Sequence, residues 1–173
     1  MPIGLLNGPR RADATARRFL AAKGSSVFPA PTLAVLERGD FDDYAAANAL
    51  NKETSGLGLS RQSFALLRKV ADVEAWRHTC GVDVHEVHPE VAFQLLAGRP
   101  LGASKKTWTG ACERRALLAA AGLHPPEDVD LGAAGVDDVL DACVLAWSAT
   151  RIAKKRHVTF PPDPTPDEPV IVA

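Results

Sequence analysis

Cysteine is scarce in this chain and poorly spaced for chemistry. Cys80, Cys112 and Cys143 are odd in number and far apart, and they contain no C-x-x-C pair. That pattern argues against a disulfide framework and against a cysteine zinc site, and a reducing cytoplasm is the simplest compartment for it. Excess charge of either sign is also lacking. At a formal net charge of -1, no global field draws the protein to DNA or to an anionic membrane, so any nucleic-acid contact must come from local basic clusters. The N-terminus lacks a charged start followed by an apolar stretch. No run approaches the roughly 18 apolar residues of a membrane span, so no membrane partner is expected.

What is present fits one packed domain. The chain has 173 residues, 46% apolar and 24% charged, near the averages of globular proteins. The boundaries expected are a domain over residues 1–160 and a proline- and acid-rich tail over 161–173, extended or mobile, in which Val170-Ile171-Val172 could add a short edge strand. Three basic clusters stand out: Arg10, Arg11, Arg17 and Arg18; Lys105, Lys106, Arg114 and Arg115; and Lys154, Lys155 and Arg156. Each can also be read as a solvated helix face.

Apolar periodicity predicts a helix over Arg10–Ala22, with Ala12, Ala16, Phe19 and Leu20 on one face and Gly24 as its stop. Short helices follow over Pro31–Arg38 and Phe41–Asn51, separated by Gly39-Asp40. Ser60 reads as the N-cap of a longer helix to about Thr79, with Phe64, Leu67, Val70, Ala71 and Val73 in its stripe. Further helices are predicted over Val91–Ala97, Lys106–Ala121 and Asp137 to about Lys155. The best strand is Val82–His88, valine-rich and stopped by Pro89. Pro2–Leu6 and the final valines are weaker additions. One interior strand does not make a stable sheet, so either the fold is chiefly helical or strands preceding Met1 are absent from the chain.

Three groups could carry chemistry. Glu86 and His88 alternate onto one face of the proposed strand, and Glu90 follows just past Pro89. The alternative is that Glu90 merely favours the helix dipole and His88 ends the sheet. Asp137-Asp138-Val139-Leu140-Asp141 opens an apolar helix. There Asp138 and Asp141, three residues apart, can converge on one cation, while Asp137 serves as an N-terminal charge. Asp141 lies one turn in, where an unpaired carboxylate would be costly unless a metal, a base or water met it. Ser104-Lys105-Lys106-Thr107 leads into a long helix and could seat a phosphate, or simply be a cap followed by a solvated helix. His85-x-x-His88 has the wrong spacing for two ligands on a strand face. Gly56-x-Gly58 follows a helix and is no dinucleotide fingerprint.

Taken together these segments resemble the domain-of-unknown-function family numbered 429, whose members are predicted RNase H-like nucleases. The resemblance rests on Met1-Pro2-Ile3-Gly4-Leu5, Arg11-x-Asp13 with Ala16-Arg17, Ser25-Ser26-Val27-Phe28, and Gly58-Leu59-Ser60-x-Gln62 with Lys69. It continues through Glu86-Val87-His88-Pro89-Glu90, Phe93 with Leu96-Ala97-Gly98, Ser104-Lys105-Lys106-Thr107, and Asp137-Asp138-x-x-Asp141-Ala142 before Trp147 and Arg151-Ile152-Ala153. It implies an α/β, RNase H-like fold, here helix-rich with an incomplete sheet because the first strands are missing. Two acids that family members carry at or before the position of Met1 are missing as well.

The implied activity is phosphodiester hydrolysis with magnesium or manganese. The resemblance nominates Glu86, Asp138 and Asp141 as catalytic residues and metal ligands, and Ser104, Lys105 and Lys106 as the substrate-binding group. Glu90 and Asp137 are second choices. Nucleic acid is the expected partner, and activity should be impaired in a chain without the first strands. The rival reading is a catalytically silent binding or assembly module, a homodimer formed through the apolar surface those strands would cover.

Overall fold

A computed structural model describes residues 1–128 and 130–173. Among these the chain is helix-rich, with eight α-helices and one small two-stranded sheet. The chain divides into two compact units. The first comprises Met1–Glu86 with Thr159–Ile171, the second Val87–Val158 with Val172–Ala173.

In the first unit, α1 spans Arg11–Leu20 and buries Ala12, Asp13, Ala16 and Leu20. Gly24 does not stop it outright. The chain continues as a 3-10 turn, Ala21–Ser26, pressed so closely on α1 that a Cβ at Gly24 would lie 2.7 Å from the Arg17 carbonyl oxygen. Helix α2, Leu33–Arg38, ends at Gly39 in the left-handed region, φ +72°, where glycine carries no steric penalty. Helix α3, Tyr44–Ser55, is capped by the Asp43 side chain, which accepts from the Ala46 amide.

Ser60 is an N-cap, as the sequence predicts, accepting from the Ser63 amide at 3.0 Å. The helix it opens is not continuous, however. It breaks at Leu66, whose N–H turns to the Ser63 carbonyl, giving α4, Arg61–Ala65, and α5, Leu67–Arg77. Leu67 joins one core with Val35, Ala47 and Leu59, against which Phe41, Leu50 and Phe64 also pack.

The strand expected over Val82–His88 does not form. Only Glu86 makes a bridge, parallel, to Ile171, and Val82 is exposed. Valine content favours a strand only where a ladder partner exists, and the partner on offer is two residues long. The sheet consists of β1, Thr159–Phe160, paired with β2, Ile171–Val172, so the closing valines do supply strand. The proline-rich stretch before them is tied back, because Asp163 and Glu168 each accept from Arg11 at 2.9 Å.

In the second unit, α6 (Pro89–Ala97), α7 (Trp108–Ala120) and α8 (Val136–Ala153) pack on one another. Pro89 sits at the first position of α6, where a missing N–H costs nothing. Val91, Ala92, Phe93, Leu118, Leu140 and Val144 are buried. Among the described residues, no helix is long and apolar enough to cross a membrane.

Candidate functional site

The second unit brings acids and lysines together at the start of α8. The turn before α7 places the lysines. Thr107 caps α7 by accepting from the Gly110 amide at 3.1 Å, and its own hydroxyl donates to the Ser104 carbonyl at 2.7 Å. A Cβ at residue 110 would lie 2.0 Å from that carbonyl oxygen, so the turn can fold onto α7 only because Gly110 has no side chain. Lys105 then reaches α8, its ammonium 2.5 Å from Asp141 Oδ2 and 3.5 Å from Asp137 Oδ2. Lys106 meets Asp137 Oδ2 at 2.6 Å.

Burial and ion pairing together set the proton affinities of this cluster. Burial raises the Asp141 carboxyl above its ordinary value. Lys105 opposes the rise, and the nearby charges of Glu90 and Asp137 add to it. Lys105 is lowered by burial, but its bond and charge interaction with Asp141, together with Asp137, outweigh that and leave the ammonium raised. Asp137 is held below the usual range, chiefly by its bond to Lys106. Both members of the Lys105–Asp141 pair are thus shifted upward, Asp141 chiefly by burial and Lys105 by its two acidic partners.

The pair that shares a cation is Asp137 and Asp141, four residues apart, rather than Asp138 and Asp141. Asp138 turns the other way, and its Oδ2 accepts from the Gly135 amide at 2.8 Å, closing the end of α8. Ser104 contributes its carbonyl to the turn, and its hydroxyl oxygen accepts from the Lys106 amide at 3.3 Å. Glu90 is engaged elsewhere in this unit, with both of its oxygens accepting from Arg114 Nη2 at 2.8 Å.

Glu86 belongs to the first unit. Its Oε2 accepts from Arg10 Nη2 at 2.6 Å and from the Ile3 amide at 2.8 Å, and Asp13 lies 3.8 Å from the same guanidinium. All three side chains are buried. Burial raises the Glu86 carboxyl above its ordinary 4.5, Arg10 and the Ile3 amide recover part of the rise, and Asp13 adds to it. The folded state therefore binds this proton more tightly than the unfolded chain does. The stability Glu86 contributes is then fully present below about pH 4.5 and lost as pH rises through the raised value. Thermal melts of wild type and Glu86→Gln across pH 4 to 8 should show the wild-type margin over the variant shrinking as pH rises. A margin that grows would contradict the buried, proton-binding state.

Sequence reading missed two buried arginines. Arg10 stood in a cluster of four, yet it is the partner of Glu86. Arg114 stood in another cluster and is fully buried. Both had a legible signal. Asp13 shares a face with Ala12, Ala16 and Leu20, so a buried acid there requires a base, and Arg114 lies between Gly110 and Leu118 at helical spacing on the buried side of α7. Arg115, by contrast, is an exposed partner of Glu127.

Among the described residues, no three His, Cys, Asp or Glu side chains are grouped as a metal ion would need. Asp137 and Asp141 offer hard oxygen donors of the kind that suit magnesium or manganese. Compared with known families, residues 1–166 match the model described as protein of unknown function, DUF429. No curated protein and no solved structure matches the chain.

Proposed function

Because the chain belongs to the DUF429 family over residues 1–166, we propose that it carries a metal-assisted phosphodiester hydrolase site of RNase H-like type. In this reading Asp141 and Asp137 are the ion-holding carboxylates, and Lys105 and Lys106 are the phosphate anchors. The observation that carries it is the meeting of the two carboxylates on one lysine, with Asp141 raised although its base is in contact. Two carboxylates that close need a cation, and those at hand are the ammonium groups of Lys105 and Lys106, on flexible stems.

A magnesium or manganese ion held there would supply an activated water and a counter-charge for the leaving oxygen. A phosphodiester would draw on the ammonium groups that now neutralise Asp137 and Asp141. Substrate arrival and the freeing of both acids are therefore coupled through Lys105 and Lys106. Glu86 and Asp138 are weaker ligands in this account, since Arg10 and the Ile3 amide occupy the first and the Gly135 amide the second.

Manganese should raise the melting temperature of the purified chain, by the equivalent of about 2.7 kcal/mol at a hundredfold excess over Kd. Cleavage of labelled RNA or DNA should require magnesium or manganese and cease with chelator. Absence of any ion-dependent stabilisation, or cleavage indifferent to chelator, would sink the proposal. One observation favours a second reading, a silent nucleic-acid-binding module: Glu86, Glu90, Asp137 and Asp141 each already have a basic partner. Retained oligonucleotide binding that is lost in Lys105→Ala and Lys106→Ala, with no cleavage under any ion, would select that alternative.

A further inference from the structure

The first unit contains a pocket of about 460 Å³, within the range of small-molecule sites, roughly 300–1,000 Å³. Pro9, Pro29 and Leu57 give it apolar lining, and α1 contributes Arg17 and Arg18. These two arginines differ from others in the unit. Arg10, Arg11, Arg38, Arg68 and Arg77 each meet a carboxylate. Among the described residues Arg17 and Arg18 meet none. Arg17 is anchored through Nη1 to the Val27 carbonyl at 2.8 Å, which fixes its position without cancelling its charge.

The carboxylate in the lining, Asp13, is buried and already accepts from the Ala30 amide at 2.8 Å. Two arginines that form no ion pair among the described residues therefore line one concave, largely apolar space. Guanidinium groups bind phosphate and carboxylate oxygens with directed, charge-assisted bonds.

We propose that this pocket is a binding site for a small organic oxyanion, a phosphate or carboxylate carried on an apolar body. The oxyanion sits on Arg17 and Arg18, and the body lies against Pro9, Pro29 and Leu57. The site is independent of the hydrolase reading, since it uses none of the same residues.

Isothermal titration of the whole chain with phenyl phosphate and with benzoate tests it. At least one should bind, and Arg18→Gln, an exposed position, should weaken it roughly tenfold. Ala14→Trp, which fills the pocket from the exposed side of α1, should abolish binding while thermal melts show the fold intact. Binding of phenyl phosphate alone identifies phosphate as the group, and binding of benzoate as well extends the site to carboxylates; either result supports the proposal. It is overturned if neither binds, if both variants bind as wild type does, or if inorganic phosphate binds as tightly as phenyl phosphate, because the apolar wall would then contribute nothing.

Discussion

Asp141→Asn is expected to lower ion-dependent phosphodiester cleavage by roughly a thousandfold or more, about 4 kcal/mol of transition-state stabilisation, with the chain still folded. The substitution keeps the shape of the side chain and an oxygen that can accept from Lys105, but removes the charge that would hold an ion. Lys105 retains Asp137 at 3.5 Å, so no buried ammonium is left without a counter-charge. Asp138→Asn is the internal control. Its amide oxygen can still accept from Gly135, and the carboxylate it replaces does not face Lys105. Cleavage assays on the two variants, with circular dichroism confirming the fold, decide between the arrangement seen here and the Asp138–Asp141 pair that helical spacing suggests. An active Asp141→Asn variant, or an Asp138→Asn variant with the larger loss, would place the chemistry elsewhere.

Much of the helical framework was legible because it depends on local chemistry. Ser60 caps a helix and Gly39 ends one in the left-handed region, each for reasons contained within a few residues. The segment Val82–His88 was not legible in the same way, since alternation and valine content describe a surface that fits a ladder and say nothing of whether the ladder is present. The site was legible to the same limited depth. Spacing placed Asp137, Asp138 and Asp141 within one turn and a half, but i,i+3 and i,i+4 pairs are equally near on a helix. The choice between them was made by a tertiary contact, the Lys105 turn, whose position depends on the bare Cα of Gly110.

Charge tells the same story across both units. Net charge near zero excludes a long-range field, yet it conceals a division of labour among the arginines. Arg10 and Arg114 are buried and serve carboxylates, Arg11 and Arg115 are exposed partners of acids, and Arg17 and Arg18 line a pocket with no ion pair among the described residues. Adjacent residues in a single basic run thus perform opposite tasks, because a helix turns by about 100° per residue. Composition cannot separate them.

Arg114→Ala is expected to destabilise the protein by about 3–5 kcal/mol. The side chain has no exposed surface. It donates to both oxygens of Glu90 at 2.8 Å and to the Gly110 carbonyl at 3.2 Å, and lies 5.2 Å from the Phe93 ring centroid. Truncation removes all of these and leaves Glu90, 12% exposed at its side chain, without its base. The double variant Arg114→Met, Glu90→Leu should recover much of the loss, since it leaves no uncompensated charge behind. Arg114→Lys should fall between, keeping a charge for Glu90 but not the planar fork that also reaches Gly110. Urea unfolding of the four proteins measures these losses, and the wild-type pair should be only weakly sensitive to added salt because Arg114 is fully buried and Glu90 is 12% exposed at its side chain. An Arg114→Ala variant within about 0.5 kcal/mol of wild type, the range of ordinary surface substitutions, would mean that the guanidinium is solvated and that α6 and α7 are held together by their apolar residues alone.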